Sequence, residues 1–492
     1  MPDHEEDKLT LFSPFDMACP LDARYYGADE KFFERLKPFV SESAYITYQV
    51  RVEVALAQVL AERKIAPESL PEEIEKARTE FTVEDVYKEE AKIGHVVRAL
   101  VNCIRRHVSE EARPFVHLFA TSNDVTDTAT ALRYKDLTTS VLLPSLLDLQ
   151  QQLIVIAEKH KATIQIGRTH GKYAEPITFG YFIANYVARL GNRIEFIERA
   201  RRELRGKLSG AVGAHNALAT MFDDPERVEA DVLRKIGLRP TDTQVSTQIV
   251  HPEYLADLVH GAVSAFSVIA NLADDIRHLH RSEIGETQEK YDDARVGSST
   301  MPHKLNPKNF EFVKSMWKEF MPRMMTVYMD QISEHQRDLT NSASSRFLTE
   351  FFTAFVYSLE RLRDAMKNLD VDKDAMKKNL AATQGETLAE PLYILLSAYG
   401  HPDGHAFARK LVRQARASRR SLAELIREDP EIKDFFAKKK VQLDKKQLDA
   451  LRTPEDYIGS SVGRTEATCK EWSSRATKLR QALESERRGS AA

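Results

Sequence analysis

Four polar segments hold the residues whose types and spacing could do chemistry in this chain. The densest is Gly297-Ser298-Ser299-Thr300-Met301-Pro302-His303-Lys304-Leu305-Asn306-Pro307, followed four positions later by Glu311. Three hydroxyls, a Lys, an Asn and two prolines exclude a core helix or strand, so the stretch reads as a structured loop built to touch something. Lys304 supplies a point charge with three donors, and Asn306 supplies both donors and an acceptor. Together they could hold a carboxylate beside a hydroxyl that acts as nucleophile or base.

The second segment, Ala120-Thr121-Ser122-Asn123-Asp124, sits just before a helical stretch from Val125 to Tyr134. It is either an N-cap cluster or a carboxylate site made of free helix N-terminal donors. The third, Gly167-Arg168-Thr169-His170-Gly171, reads as a short break between two helical stretches, with Glu175-Pro176 behind it. His170 is either a packed loop residue or, given a partner that orients it, a proton donor working near neutral pH. In the fourth, Arg337 to Arg346, Ser342 and Arg346 stand four apart and share a face if the segment is helical. That pair is either a solvated helix start or a compact clamp for phosphate or carboxylate.

Other chemistries lack their motifs. There is no G-x-G-x-x-G after a strand, no Walker-type glycine loop and no H-E-x-x-H, and the 15 His residues show no metal-ligand spacing. No metal and no cofactor is therefore expected, and His278, His280 and His303 read as helix-face or loop residues.

The elements that must carry these segments are long helices. Leu255, Leu258, Val259, Val263, Phe266, Ile269, Leu272 and Ile276 repeat every three or four positions, an amphipathic helix of more than 20 residues. Similar stripes run from Ala131 to Ala157, from about Phe312 through Met325 and from Phe347 to Leu369, and Ala44 to Leu60 is also helical in pattern. Nothing repeats like alternating strands or a βαβ unit. Helices of about 30 residues span roughly 45 Å, too long for one small globule, so they fit a shared bundle. The pattern sets an all-α fold with an N-terminal domain over 1–119, a central long-helix domain over 120–369 and a C-terminal helical domain over 370–492. The end from Glu484 to Ala492 reads as a frayed tail.

Composition narrows the partners. Seventy-one basic residues against 74 acidic ones give a formal net charge of -3, so no bulk field favours nucleic acid or an anionic membrane, and any anion must be held locally. Cys19, Cys103 and Cys469 are odd in number and far apart, which suits a reducing compartment rather than a disulfide framework. The polar, acidic start lacks a signal-peptide pattern, and the chain reads as soluble and cytoplasmic.

In this order, the four segments resemble the signatures of the fumarase/aspartase superfamily, enzymes that typically release fumarate by breaking a carbon–nitrogen or carbon–oxygen bond. Within it the chain is similar to the adenylosuccinate lyase family, whose form is also seen in Pro20-Leu21-Asp22-Ala23-Arg24-Tyr25, Ser209 to Gly213, Ser246 to Ile249 and Gln336 to Ser342 with Arg346. The resemblance implies a three-domain fold whose central bundle forms a 20-helix core in a homotetramer, with active sites shared between chains. It implies that Ser298 is the general base and that His170, oriented by Glu311, protonates the leaving nitrogen. Thr121, Ser122, Lys304 and Asn306 would hold the succinyl carboxylates, with Gln248 near the leaving group. Arg24, Tyr25, Arg337, Ser342 and Arg346 would bind the nucleotide, and His95 and Thr169 match further substrate contacts.

Some positions depart from that pattern. Gly94 and Val96 flank His95 where the family carries polar partners, Leu305 replaces a frequent Arg, and His251-Pro252-Glu253 stands where Gln-Arg-Asp is frequent. Phe312 stands where several members place a polar nucleotide contact. They keep two other readings in view: a fumarate-releasing lyase of another substrate, such as argininosuccinate lyase or a carboxymuconate cycloisomerase-like enzyme, and a non-catalytic helical scaffold.

Overall fold

A computed structural model describes residues 18–290, 300–332 and 334–490. Its longest element is a continuous helix from Ser122 to Lys159, 38 residues that span roughly 57 Å at 1.5 Å per residue. This helix contains Pro144, which cannot donate to the helix ladder and whose ring crowds the preceding turn. The turn before it, Thr138–Leu142, is widened to a π-helix, and the helix continues through the proline without ending.

Against that helix pack Phe179–Arg202 and Ser342–Lys367, and against these in turn pack Glu253–Leu279 and Lys308–Phe320. Each presents an apolar face: Leu142, Leu146 and Leu153 meet Ile183, Leu190, Phe266, Phe352 and Phe355 in one core. The Leu255–Ile276 stripe thus becomes the Glu253–Leu279 helix, with the expected residues inward. This helix and Ser122–Lys159 are long and apolar enough to cross a membrane, but their most apolar stretches are about two-thirds buried in the bundle, as core helices are.

Two smaller cores flank the bundle. One joins Val50, Leu56, Leu60, Leu100 and Ile104 to Leu218, Val228 and Val232, which come from far later in the chain. The other is local, built from Leu388, Leu392, Leu411, Leu422 and Ile432. All three cysteines are free.

Two expectations are corrected here. The segment Gly167 to Gly171 is not a plain break between helices: β1 (Ile164–Thr169) and β2 (Lys172–Thr178) form an antiparallel hairpin around it. A second two-stranded sheet pairs β3 (Thr287–Glu289) with β4 (Leu369–Val371). Nor is the C-terminal stretch frayed over its described residues, which are helical to Ser490. The last helix, Ser461–Ser490, returns to the central core through Cys469, Trp472 and Leu483. Gly191 lets it approach, since a Cβ there would lie 2.2 Å from Trp472 Cε3.

Near its end Glu486 accepts two hydrogen bonds from Arg201, at 2.8 and 2.9 Å. Arg201 is 1% exposed and also binds Glu198 at 2.8 and 3.0 Å and the Thr139 hydroxyl at 2.9 Å. Breaking a buried pair from one side leaves the other charge uncompensated, which typically costs about 3–5 kcal/mol. Glu198 keeps Arg202 and Glu486 is partly exposed, so Arg201→Ala is expected to lower unfolding stability by less than that, about 1–3 kcal/mol, in chemical denaturation. An unchanged midpoint and slope would contradict the docking of the last helix through this cluster.

Candidate functional site

Most of the described residues singled out in the sequence fall at two ends of the bundle. At the first, Thr121 caps the long helix and Ser122 opens it. Ser122 Oγ lies 3.5 Å from His95 Nε2, while His95 caps its own helix by accepting the Arg98 N–H at Nδ1. Gly94 precedes it in the left-handed region, φ 68°, as the stop of the helix before. The Gly94-His95-Val96 turn thus joins a helix stop to a helix start, and His95 meets the Thr121–Ser122 turn.

Asp124 organises this end. It is fully buried and pairs with the buried Lys207 ammonium. It also accepts the Thr121 N–H at 2.8 Å, the Thr121 hydroxyl at 3.1 Å, and the Ser209 and Gly210 N–H groups at 3.1 and 3.2 Å. The Ser209 loop in turn touches the Gln248 segment: Ser209 Oγ is 2.9 Å from Ser246 Oγ, and a Cβ on Gly213 would fall 2.2 Å from Ser246 O. Gln248 N donates to Gln336 O at 3.2 Å, which brings in Arg337. Arg337 has φ 144°, and its Nη1 is buried without a hydrogen-bond partner among the described residues.

Asp127 lies on the same helix and accepts the Val250 N–H at 3.1 Å. Burial pushes its carboxyl up to about 6, against the Val250 N–H and the Lys207 and Arg337 charges, which pull it down. Ser342 is the first residue of its helix and Arg346 follows one turn later, both exposed, so the helical condition on that pair is met.

At the other end the hairpin carries Thr169 and His170. His170 (φ 53°) and Gly171 (φ 72°) form a two-residue turn with both residues left-handed, which matches the twist of the flanking strands. The imidazole is exposed at the tip and has no hydrogen-bond partner among the described residues. Lys304 is exposed, Asn306 half-buried, and Glu311 exposed on the first turn of the Lys308–Phe320 helix. Within the chain Glu311 does not bond His170. Ser298 lies outside the described residues.

Arg24 is exposed in the π-helical turn Asp22–Tyr26, and the neighbouring Tyr25 ring sits 5.6 Å from the rings of both Phe312 and Tyr357. Phe312 is thereby an aromatic packing partner of Tyr25, with the Arg361 guanidinium 5.1 Å from its centroid.

Lys207, Glu286 and His117 carried no signal in the sequence alone, and Asp124 stood there only as the end of the Thr121 segment. Asp124 and Lys207 find each other across 83 positions, and Glu286 holds the hairpin from outside any motif. His117 (φ 66°) bonds the buried Glu53 at 2.6 Å, and although burial pushes its imidazole down, Glu53 outweighs that and holds it above the usual value. Only a left-handed non-glycine residue just ahead of Thr121 hints at its role, and φ is not visible in a sequence.

Comparison with known proteins agrees in fold and family. The family model described as Lyase matches residues 23–321, and that described as Adenylosuccinate lyase C-terminal matches 333–458. The adenylosuccinate lyase of Pyrococcus abyssi is 32% identical over 448 residues, covering 90% of this chain and 95% of that protein. That of Methanothermobacter thermautotrophicus is 33% identical over 417 residues, covering 83% and 90%. Among solved structures, a fumarate lyase from Mesorhizobium superposes with a TM-score of 0.76 at 22% identity, covering 89% of this chain and 97% of that one. The 3-carboxy-cis,cis-muconate lactonizing enzyme of Pseudomonas putida gives 0.76 at 24%, covering 90% and 97%, a likeness that bears on the fold alone. With a family model over most of its length and relatives above 30% identity along nearly all of it, the chain belongs to the adenylosuccinate lyase family of the fumarase/aspartase superfamily, and is an enzyme of the lyase class.

Proposed function

We propose that this enzyme removes fumarate from adenylosuccinate to leave AMP, and from the succinyl-carboxamide intermediate SAICAR to leave AICAR, by anti β-elimination. Ser298 as base takes the proton from the succinyl carbon next to a carboxylate. The electron pair of that C–H bond becomes the carbon–carbon double bond of fumarate, the carbon–nitrogen bond breaks, and His170 delivers a proton to the departing nitrogen. Charge builds on the carboxylate as the proton leaves, so donors aimed at it favour the transition state over the substrate. Thr121, Ser122, Lys304 and Asn306 fill that role in this reading. A serine hydroxyl becomes an effective base only where a cation and backbone donors stabilise its alkoxide, in a loop that closes against water.

The nucleotide is assigned to Arg24, Tyr25, Arg337, Ser342 and Arg346, with His95, Thr169 and Gln248 as further contacts. One observation carries this: the helix begins at Ser342, so its hydroxyl and the Arg346 guanidinium share a face one turn apart, close in sequence to the buried Arg337 Nη1, which has no hydrogen-bond partner among the described residues. A phosphate accepting charge-assisted bonds from such a set suits it well.

The two ends of the bundle support a shared site. The long helix puts roughly 57 Å between the Thr121–Ser122 turn and the hairpin, and the Glu253–Leu279 helix puts roughly 40 Å between the Gln248 segment and the loop at Leu305. No substrate of this size bridges such distances. We therefore read the active form as a cytoplasmic homotetramer in which one chain's first end meets another chain's hairpin end, with Glu311 oriented toward His170 in the assembly and a single chain inactive alone. The domain division at about residues 119 and 369 belongs to the same reading.

Purified protein mixed in parallel with adenylosuccinate, argininosuccinate and aspartate is expected to release fumarate from the first alone, with a fall in absorbance near the purine band; no turnover at high enzyme concentration would reject the assignment. Arg346→Ala is expected to raise KM for adenylosuccinate roughly 10- to 100-fold, the loss of a charge-assisted bond of about 1.5–3 kcal/mol. Unaltered kinetics on the preferred substrate would speak against a phosphate-bearing one. Ser298→Ala should still bind substrate while kcat falls by about 10²–10⁴, the usual worth of acid–base catalysis; binding with wild-type turnover would mean another base.

A further inference from the structure

One carboxylate beside the hairpin has no part in the mechanism above. Glu286 is 0% exposed and accepts four side-chain N–H bonds from two separate segments. Gln165 Nε2 donates at 2.7 Å and Arg168 Nη1 at 3.2 Å to one oxygen, and Arg168 Nη2 at 2.6 Å and Asn379 Nδ2 at 2.8 Å to the other. Its backbone is fixed as well, with its N–H donating to Leu279 O and its carbonyl accepting from Asp372 N, both at 3.0 Å. Glu286 directly precedes β3, so it stands where the hairpin, the second sheet and Asn379 meet.

The hairpin needs such a post. Its ladder pairs Ile166 with Pro176, then jumps to Arg168 with Tyr173, so the strands are bulged just before the turn. A bulge bends its strand and re-aims the side chains beyond it, and here only two residues separate the bulge from the tip. Gly167 sits so close to the opposite strand that a Cβ would be 2.6 Å from Glu175 O. Between bulge and tip stands the Arg168 side chain, held in a fork by Glu286 on one side and lying 5.5 Å from the Tyr173 ring on the other.

We propose that Glu286 is a positioning residue for the elimination: by clamping Arg168 it sets the angle at which the hairpin presents His170, two residues on, to the departing nitrogen. This rests on the reading of His170 as the proton donor. A misplacement of about 1 Å in a reacting group can cost around 100-fold in rate, whereas substrate binding elsewhere in the site is left alone. Loss of the clamp should therefore fall on kcat and not on KM.

A double-mutant cycle on adenylosuccinate tests this, using wild type, Glu286→Gln, His170→Ala and the double variant, with thermal unfolding run on each. Glu286→Gln is expected to lower kcat about 10- to 100-fold with KM within about threefold, and to cost less than about twofold more once His170 is gone. If Glu286→Gln does not unfold cooperatively, Arg168→Lys, which keeps the charge but loses the fork, takes its place in the cycle with the same expectation. Wild-type kcat in the single variant, or losses that multiply in full in the double variant, would overturn the positioning role alone. A His170→Ala enzyme that turns over at the wild-type rate would instead overturn the proton-donor reading, and the positioning role with it.

Discussion

The length of one helix governs what this chain can do. From Ser122 to Lys159 the helix runs unbroken, and the Thr121–Ser122 turn stands at its start while the His170 hairpin follows its end. Continuity past Pro144 is what makes the length possible, and the π-turn at Thr138–Leu142 is what makes the continuity possible. A helix that stopped at the proline would allow the chain to fold back and bring its own polar turns together. A rigid rod of roughly 57 Å forbids it, which is the physical ground for proposing that a second chain completes the site.

The same physical device secures the loops at both ends. Neither end has an extended sheet, and each uses one fully buried carboxylate that collects donors from segments distant in sequence. Asp124 ties the Thr121 cap to Lys207 and the Ser209–Gly210 turn; Glu286 ties the hairpin to the second sheet and to Asn379. Burying such a charge is tolerable because every oxygen is satisfied, and for that reason a single lost donor is costly. Turns held this way are fixed without being part of the apolar core, which suits residues that the proposed assembly would present to a neighbouring chain.

Much of this was legible in sequence because it is periodic or local. The stripe from Leu255 to Ile276 specified its helix, and the polar segments marked where helices begin and loops stand. The hairpin was hidden because Gly167 and its bulge break the alternation that would reveal strands, and because a turn at His170-Gly171 lacks the usual Asn-Gly or Asp-Gly. The last turns of the chain resemble a polar tail until Arg201 is known to face them, a partner 285 positions away. The anchoring role of Asp124, and Glu286 altogether, were hidden for the same reason: a carboxylate's donors are set by tertiary contact, and no spacing in the sequence encodes them.

Mixing two defective chains tests the shared site most directly. A Thr121→Ala, Ser122→Ala chain lacks only the first end, and a His170→Ala chain lacks only the hairpin end. Unfolded together in equal amounts and refolded, they should form mixed oligomers in which about a quarter of the sites draw both intact ends from different chains, and activity should rise from near zero toward that fraction of wild type. Mixed oligomers of the correct mass that stay as inactive as either parent would contradict the account.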